Sequence, residues 1–379
     1  MKRFKFIIFF ICFLVGICNY AVSGDDDEKE LGYMLTLSKP FEDYGGEQKS
    51  AIDLWVGQFN NKGGFTKKKK KLKVFFADDE FNPTKAYLQA KKLLEESKVK
   101  SIIGPTYSAS VEAISGLAEK NKVPFLVMTS DHKVVKPDSD WVFNLVPTNV
   151  SVVEAVYNHF QGLKLKNIAL ITENTKWGSI GREILVKQAH KYNIKIVENL
   201  VSPKGSVDFN PLLAKLRAIK PDAIFVWVNN RLYNVVATQW RESMASIPLY
   251  LNQYGTLVSR VELAEGVRIP VPPWMVAKEL PENKIKAESF KFKDKFFSRY
   301  GKEPGLFAGY AWDAGRVMTK AMEDDCEEDS ERIRNSLMNI RDYPGINGTI
   351  TITSKSPVGL DWRDLYIAEI KKGRYKVLR

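Results

Sequence analysis

The stretch SIIGPTYSASVEAISGLAEK, Ser101–Lys120, decides how this chain is read. An apolar strand segment passes through Gly104-Pro105 into small hydroxyl and alanine residues, and these open a helical pattern. Ser, Thr and Ala at a helix start cap free backbone N–H groups, yet leave them open to an anionic visitor such as a carboxylate. The turn is therefore a cap, a ligand seat, or both.

The segments on either side repeat the same grammar. LGYMLTLS (31–38) reads as a strand, GGEQKSAIDLWVGQFNNKGG (45–64) as a helix ending in glycines, and LKVFFADD (72–79) as a second strand. NPTKAYLQAKKLLEES (82–97) is a helix opened by Asn-Pro, and VPFLVMTS (123–130) a further strand. Strands alternating with helices in this way specify a doubly wound, parallel sheet. After WVFNLVPTNVSVVEAVYNHFQGL (141–163) the alternation restarts at Lys166 and runs to Gly255. An irregular stretch near Pro270 leads to two amphipathic helices, ESFKFKDKFFSRYG (288–301) and LFAGYAWDAGRVMTKAMED (306–324). GTITITSK and DLYIAEIKKGRYKVL close the chain as two short strands with a turn between them.

The reading is α/β, with two Rossmann-like lobes of parallel-rich sheets flanked by helices. Residues 24–147 plus 275–343 are assigned to one lobe and residues 148–274 plus 344–379 to the other. No low-complexity linker separates the units, so the chain crosses between lobes more than once. A ligand then sits in the cleft, where the carboxyl ends of parallel strands face each other.

Residues 1–23, MKRFKFIIFFICFLVGICNYAVS, combine a basic start, an apolar run from Phe6 to Ile17 and small residues Ala21 and Ser23 before Gly24. This is the pattern of a cleaved secretory signal, too short in its apolar part for a membrane span. A lipid anchor on Cys18 is the less favoured alternative, because Ile17 stands where a small residue is wanted. Either way the chain is exported. With Cys12 and Cys18 in the leader, Cys326 remains alone and no internal disulfide forms. The length remaining suits two cores rather than one.

The formal charge of +12 falls to +9 when Lys2, Arg3 and Lys5 leave with the signal. The densest basic run, Lys67–Lys73, reads as a solvated loop beside NKGGF, and no aromatic-interleaved basic helix supports a nucleic-acid partner. His132, His159 and His190 lack ligand-like spacing, and no P-loop, G-x-G-x-x-G or G-x-S-x-G is present, so metal, cofactor and hydrolase readings lack residues. Asp78-Asp79 invites a general acid and base, but adjacent strand residues point to opposite faces. Asn229 and Arg231, in WVNNRLY after a strand of the second lobe, are candidates to face the cleft; a surface role for Arg231 is the commoner case.

Taken in order, FEDYGGEQKSAIDLWVGQFNNKGGF, ADDEFNPTKAYLQAKKLL, SIIGPTYSAS, WVFNLVPT, WGSIGREILV, VDFNPLLAKLRAIKPDAIFV and AGYAWDAG resemble the extracytoplasmic solute-binding proteins of branched-chain amino-acid type ABC transporters. The resemblance covers nearly all of the chain beyond the leader. It implies a type I periplasmic-binding fold, three crossings forming a hinge, and a ligand clamped between the lobes. It further implies that Ser108, with Tyr107 before it, seats the ligand carboxylate. The second seat falls on Thr129, Ser130, Asp131 and His132, where the text departs from the family's small residue and threonine. Trp177 matches an aromatic that packs the ligand from the second lobe, Phe307 an apolar wall residue, and Tyr44 an aromatic cover.

The sharpest departure is Tyr254, in LYLNQYGTL. The resemblance puts there an acidic residue that pairs with a ligand ammonium, and a buried ammonium without a carboxylate is costly. Either Asp131 supplies the charge or the ligand has no ammonium. The function so implied is capture of an amino acid or related small carboxylate by hinge closure, without turnover or cofactor, and delivery to the membrane permease of an ABC transporter. The alternative is a ligand-sensing module of a membrane receptor system.

Overall fold

The computed structural model describes residues 28–66, 69–135, 139–257, 261–323 and 329–378. The leader with Cys12 and Cys18, Lys67 and Lys68 of the basic run, and Cys326 lie outside the described residues.

The chain opens with β1 (Glu28–Leu35), α1 (Glu42–Asn61), β2 (Lys71–Asp78), α2 (Pro83–Glu95), β3 (Ile102–Ile103), α3 (Ser108–Asn121), β4 (Phe125–Val127) and β5 (Val142–Asn144). These strands make one wholly parallel sheet in the order β2-β1-β3-β4-β5. A parallel sheet is covered on both faces, so its strands carry apolar runs rather than alternation, and β1 is buried continuously from Leu31 to Leu35. The helix starts follow their sequence signals. Asn82 Oδ1 accepts from the amides of Thr84 and Lys85 while Pro83 occupies the first turn of α2.

The second unit continues with α4 (Asn149–Gly162), β6 (Asn167–Glu173), α5 (Lys176–Ala189), β7 (Lys195–Ser202), α6 (Asn210–Ile219), β8 (Ala223–Trp227), α7 (Tyr233–Met244), β9 (Leu249–Leu251) and β10 (Arg268–Val271). The chain then returns to the first lobe with α8 (Lys284–Tyr300), α9 (Leu306–Glu323), α10 (Ser330–Met338) and the strand pair β11 (Tyr343–Pro344) and β12 (Thr349–Ile350). It ends in the second lobe with β13 (Tyr366–Lys371) and β14 (Arg374–Val377). The second sheet runs β14-β13-β10-β9-β8-β6-β7, parallel from β10 to β7 and antiparallel at the β10-β13-β14 edge. Three crossings therefore join the lobes, as expected.

The structure corrects four details. The boundary expected at residue 344 falls after Leu360, because Ile346, Ile350, Ile352 and Leu360 pack into the first lobe's core; an apolar alternation announces burial but not against which sheet. Near the second crossing Trp274 packs in the first core, and Val276 and Leu280 in the second, so the segment straddles both. The closing DLYIAEIKKGRYKVL is a complete hairpin, β13-β14, turning at Lys372 and Gly373 with φ of 51° and 68°, while GTITITSK pairs elsewhere through β12. Helix α9, read as amphipathic, has 16 of its 18 residues buried. It packs against α1, α10 and β3, which leaves little of it facing water. Sequence periodicity also passed over α10, where only Ile333 and Leu337 are buried in a nine-residue, otherwise polar segment.

Candidate functional site

A cavity of about 360 Å³ lies where the carboxyl ends of the two sheets meet. From the first lobe it is lined by Thr36 after β1, Phe41, Tyr44 and Gln48 at the start of α1, Phe81 after β2, Thr106, Tyr107 and Ser108 between β3 and α3, and Ser130 after β4. Phe307, at the start of α9, completes that side. The second lobe contributes Trp177 in α5, Asn229 and Asn230 after β8, and Tyr254 and Leu257 after β9. A strand that ends at the sheet's edge must deliver its next residues into the cleft, so most of the lining comes from these turns and the helix starts beyond them, and Phe307 is added by α9.

Eight of the ten residues nominated from sequence thus line one cavity: Tyr44, Tyr107, Ser108, Ser130, Trp177, Asn229, Tyr254 and Phe307. Asp131 and His132 do not. Asp131 Oδ1 accepts from the amide of Lys133, and its own amide donates to Thr129 Oγ1, which turns the loop away after Ser130. His132 is half-buried beside that loop, and burial pushes its pKa down. Arg231 is exposed and reaches the first lobe, its guanidinium donating to Pro40 O at 3.2 Å.

Aromatic rings form most of the walls. Phe81 lies between Phe41 and Tyr107, with centroid distances of 3.9 and 3.7 Å and interplanar angles of 30° and 18°. Phe307 stands 4.7 Å from Tyr44 and 6.2 Å from Tyr254, at 34° and 29°. Trp177 meets Tyr254 edge-on at 5.6 Å, its indole N–H held by Val228 O at 3.2 Å.

The polar groups are hydrogen-bonded in a consistent sense. Gln48 Nε2 donates to Thr106 Oγ1 at 2.7 Å, Asn230 Nδ2 to Tyr44 Oη at 2.9 Å, and Tyr254 Oη to Ser130 Oγ at 3.0 Å. The last two cross the cleft, as does the Lys133–Glu183 ion pair at 3.0 Å. The lobes are therefore closed on each other. Burial pushes the Tyr254 and Tyr44 hydroxyls up, against the pull of Ser130 and Asn230. Ser108 Oγ lies 3.0 Å from Thr129 Oγ1, and α3 begins with no side-chain cap, so its first amides have no partner from the Tyr107 side chain.

The acid pair is structural, as its spacing suggested. Asp78 accepts from the amides of Leu37 and Glu80 and from Ser38 Oγ, and Asp79 from Thr36 Oγ1 and the amide of Phe81. Among the described residues no cluster of His, Cys, Asp or Glu could hold a metal ion.

Sequence reasoning missed Thr36, Phe41, Gly45, Gln48, Phe81, Thr106, Asn230 and Leu257. Gln48 was legible in principle, because it sits one helical turn beyond Tyr44 on the same face of α1. Phe81 was not, because nothing local indicates that the turn after Asp79 folds toward Tyr107.

Ser108→Ala is expected to leave folding nearly unchanged, since Thr129 Oγ1 keeps its bond from Asp131. It should weaken solute binding by about 1 to 3 kcal/mol, the value of a hydrogen bond to a charged acceptor. Titration calorimetry of the variant gives the test, and unaltered affinity would move the seat off the α3 turn.

A closed cleft between two α/β lobes, lined by aromatic rings and by strand-end hydroxyls, defines a solute-binding clamp. This chain belongs to the periplasmic binding protein family, whose sequence model matches residues 29–374. It is a family of solute-binding proteins and not of enzymes. An uncharacterized protein of Methanocaldococcus jannaschii is 22% identical over 302 residues, 75% of this chain and 70% of that one. The mouse ionotropic glutamate receptor kainate 1 is 28% identical over 119 residues, 31% of this chain but only 14% of the receptor. Among solved structures, an extracellular ligand-binding receptor from Rhodopseudomonas palustris HaA2 superposes with a TM-score of 0.77 at 22% identity, covering 93% of this chain and 99% of that one. The branched-chain amino acid transporter substrate-binding protein LivJ from Streptococcus pneumoniae, in complex with isoleucine, gives 0.76 at 21%, covering 92% and 98%. A solute-binding protein of an ABC transporter from R. palustris, in complex with benzoate, gives 0.72 at 19%, covering 92% and 95%. No helix among the described residues is long and apolar enough to cross a membrane.

Proposed function

We propose that this chain is the exported, periplasmic solute-binding component of an ABC uptake transporter, which captures a small carboxylate between its lobes and presents the closed form to a membrane permease. The observation that carries the reading is the cavity between the lobes with hydrogen bonds across the cleft, Asn230 to Tyr44 and Tyr254 to Ser130. Solute bound to one lobe would complete the contacts of the other, and its greater affinity for the closed form shifts the population. The isoleucine and benzoate complexes of the structural relatives support small carboxylates as the class.

The test is small-angle scattering of the chain purified from its export compartment, stripped of ligand by unfolding and refolded. Addition of a cognate solute should contract the particle, and deletion of the gene should abolish uptake of that solute by cells. Contraction without any uptake defect would instead favour the receptor module, the reading in keeping with the stretch shared with kainate receptors.

Trp177→Ala should remove one aromatic wall and cost about 2 kcal/mol, roughly 30-fold in affinity. Full affinity in the variant, measured by tryptophan-independent calorimetry, would place the second lobe's contact elsewhere.

A further inference from the structure

The hydrogen-bond polarity of the cavity says what it holds. Three hydroxyl oxygens in the lining already accept a bond from a neighbour: Thr106 from Gln48, Tyr44 from Asn230 and Ser130 from Tyr254. A hydroxyl has one proton to donate, and each of these three still has it. To them is added the start of α3, which has no side-chain cap and offers further N–H donors, while Ser108 Oγ shares with Thr129 Oγ1 a hydrogen bond that either can donate. The lining therefore holds unspent protons for an acceptor on the solute.

A primary ammonium needs the opposite, since it carries three donors and no acceptor. None of the described residues lining the cavity is Asp or Glu. The nearby acids are turned to other work. Asp79 is wholly buried behind Thr36 and accepts from its Oγ1, Glu173 accepts from the amides of Gly205 and Asn229, and Asp131 from Lys133. Glu47 and Asp43 line an adjoining pocket, which meets the cavity at Tyr44, Asn230 and Leu257 and also holds Arg231 and Lys302. There burial pushes the Glu47 carboxyl up to about 7, with Lys302 pulling the other way. The remaining walls are two banks of rings, Phe41-Phe81-Tyr107 and Tyr44-Phe307-Tyr254, whose neighbours are inclined by 18° to 34°. Such walls suit a flat π-face better than a branched aliphatic chain.

We infer that the solute is an aromatic carboxylate without an amino group, its carboxylate at the Thr106–Ser108 turn and its ring between the aromatic banks. The inference rests on the solute-binding reading above and narrows it. Tyr254, bonded to Ser130 and edge-on to Trp177, presents a hydroxyl and no carboxylate to the cavity.

The experiment is calorimetry of the ligand-stripped, refolded chain with 3-phenylpropanoate, benzoate, phenylalanine, phenethylamine and isoleucine, with scattering recorded in parallel. One of the two acids should bind at least about 100-fold more tightly than phenylalanine, given the cost of an unpaired buried ammonium, and phenethylamine should not bind. An amino acid, an amine or a non-aromatic solute that binds as tightly as both acids and contracts the particle overturns the ligand class and leaves the solute-binding reading intact. Failure of every probe, and of a broader small-solute panel, to bind or contract the particle overturns both. A second variant, Tyr254→Glu, should shift the ratio of phenylalanine to 3-phenylpropanoate affinity by about 100-fold toward the amino acid. An unchanged ratio in a folded variant overturns the place given to Tyr254.

Discussion

Asp313→Ala is expected to unfold at markedly lower denaturant than the parent, with a loss of about 3 to 5 kcal/mol, the range for removing one partner of a buried charged network. Asp313 is fully buried in α9 and accepts from the amides of Ile346 at 3.0 Å and Asn347 at 2.9 Å, and from Asn347 Nδ2 at 2.8 Å. Arg316 lies 3.4 Å away. Burial pushes the carboxyl up, while Arg316 and the donors from Ile346 and Asn347 pull it down. The alanine variant strands two buried amides and takes from Arg316 its closest carboxylate. Because Ile346 and Asn347 begin the segment that leads to the third crossing, the same change should loosen hinge closure. Equilibrium unfolding in urea measures the first effect and solute-dependent scattering the second. A loss below about 1 kcal/mol, the worth of one ordinary hydrogen bond, would show that the segment is held by its apolar contacts alone.

The second large effect is at the turn from which the sequence was first read. Gly104 has φ of +86°, and a Cβ built there would fall on the carbonyl oxygen of Met34 in β1. A β-branched residue is thus opposed twice, by its backbone conformation and by a main-chain atom that cannot move without breaking the sheet. Gly104→Val should cost roughly 3 kcal/mol or more from these terms together. It should also abolish solute binding, since Thr106, Tyr107 and Ser108 follow directly. Gly46→Ala is the contrast, because a Cβ on that α1 residue meets nothing within 4 Å. It should stabilise the chain by about 0.5 to 1 kcal/mol through helix propensity. Equal destabilisation by both changes, read from unfolding midpoints, would refute the argument from space and dihedral angle.

How much was legible in the chain can be traced residue by residue. The resemblance supplied Ser108, Tyr107, Trp177 and Tyr254, and each lies a few residues past a strand's end, where the turns of a doubly wound sheet gather at one edge. Asp131 followed the same rule and failed it. Thr129 and Ser130 complete the turn, and the Asp131 side chain accepts from the amide of Lys133 in its own loop while its amide donates back to Thr129 Oγ1. Asn230 and Arg231 show the limit from the other side. Their reach to Tyr44 and Pro40 spans more than 180 residues and depends on lobe closure, which no local pattern encodes.

By itself the sequence determined the alternation of strands and helices, the parallel sheets, the two lobes and the edge at which a ligand would sit. These follow from local periodicity and from the rule that parallel strands need helical crossovers on the sheet's faces. Only the tertiary structure decided that Ile346 to Leu360 belong with the first core, that α9 is buried on nearly all sides, and that the cavity presents protons rather than a carboxylate. Each of those depends on which distant residue fills the space opposite a given side chain. Hydrophobic pattern records that a side chain is buried, whereas hydrogen-bond direction and the choice of core are set by the partner.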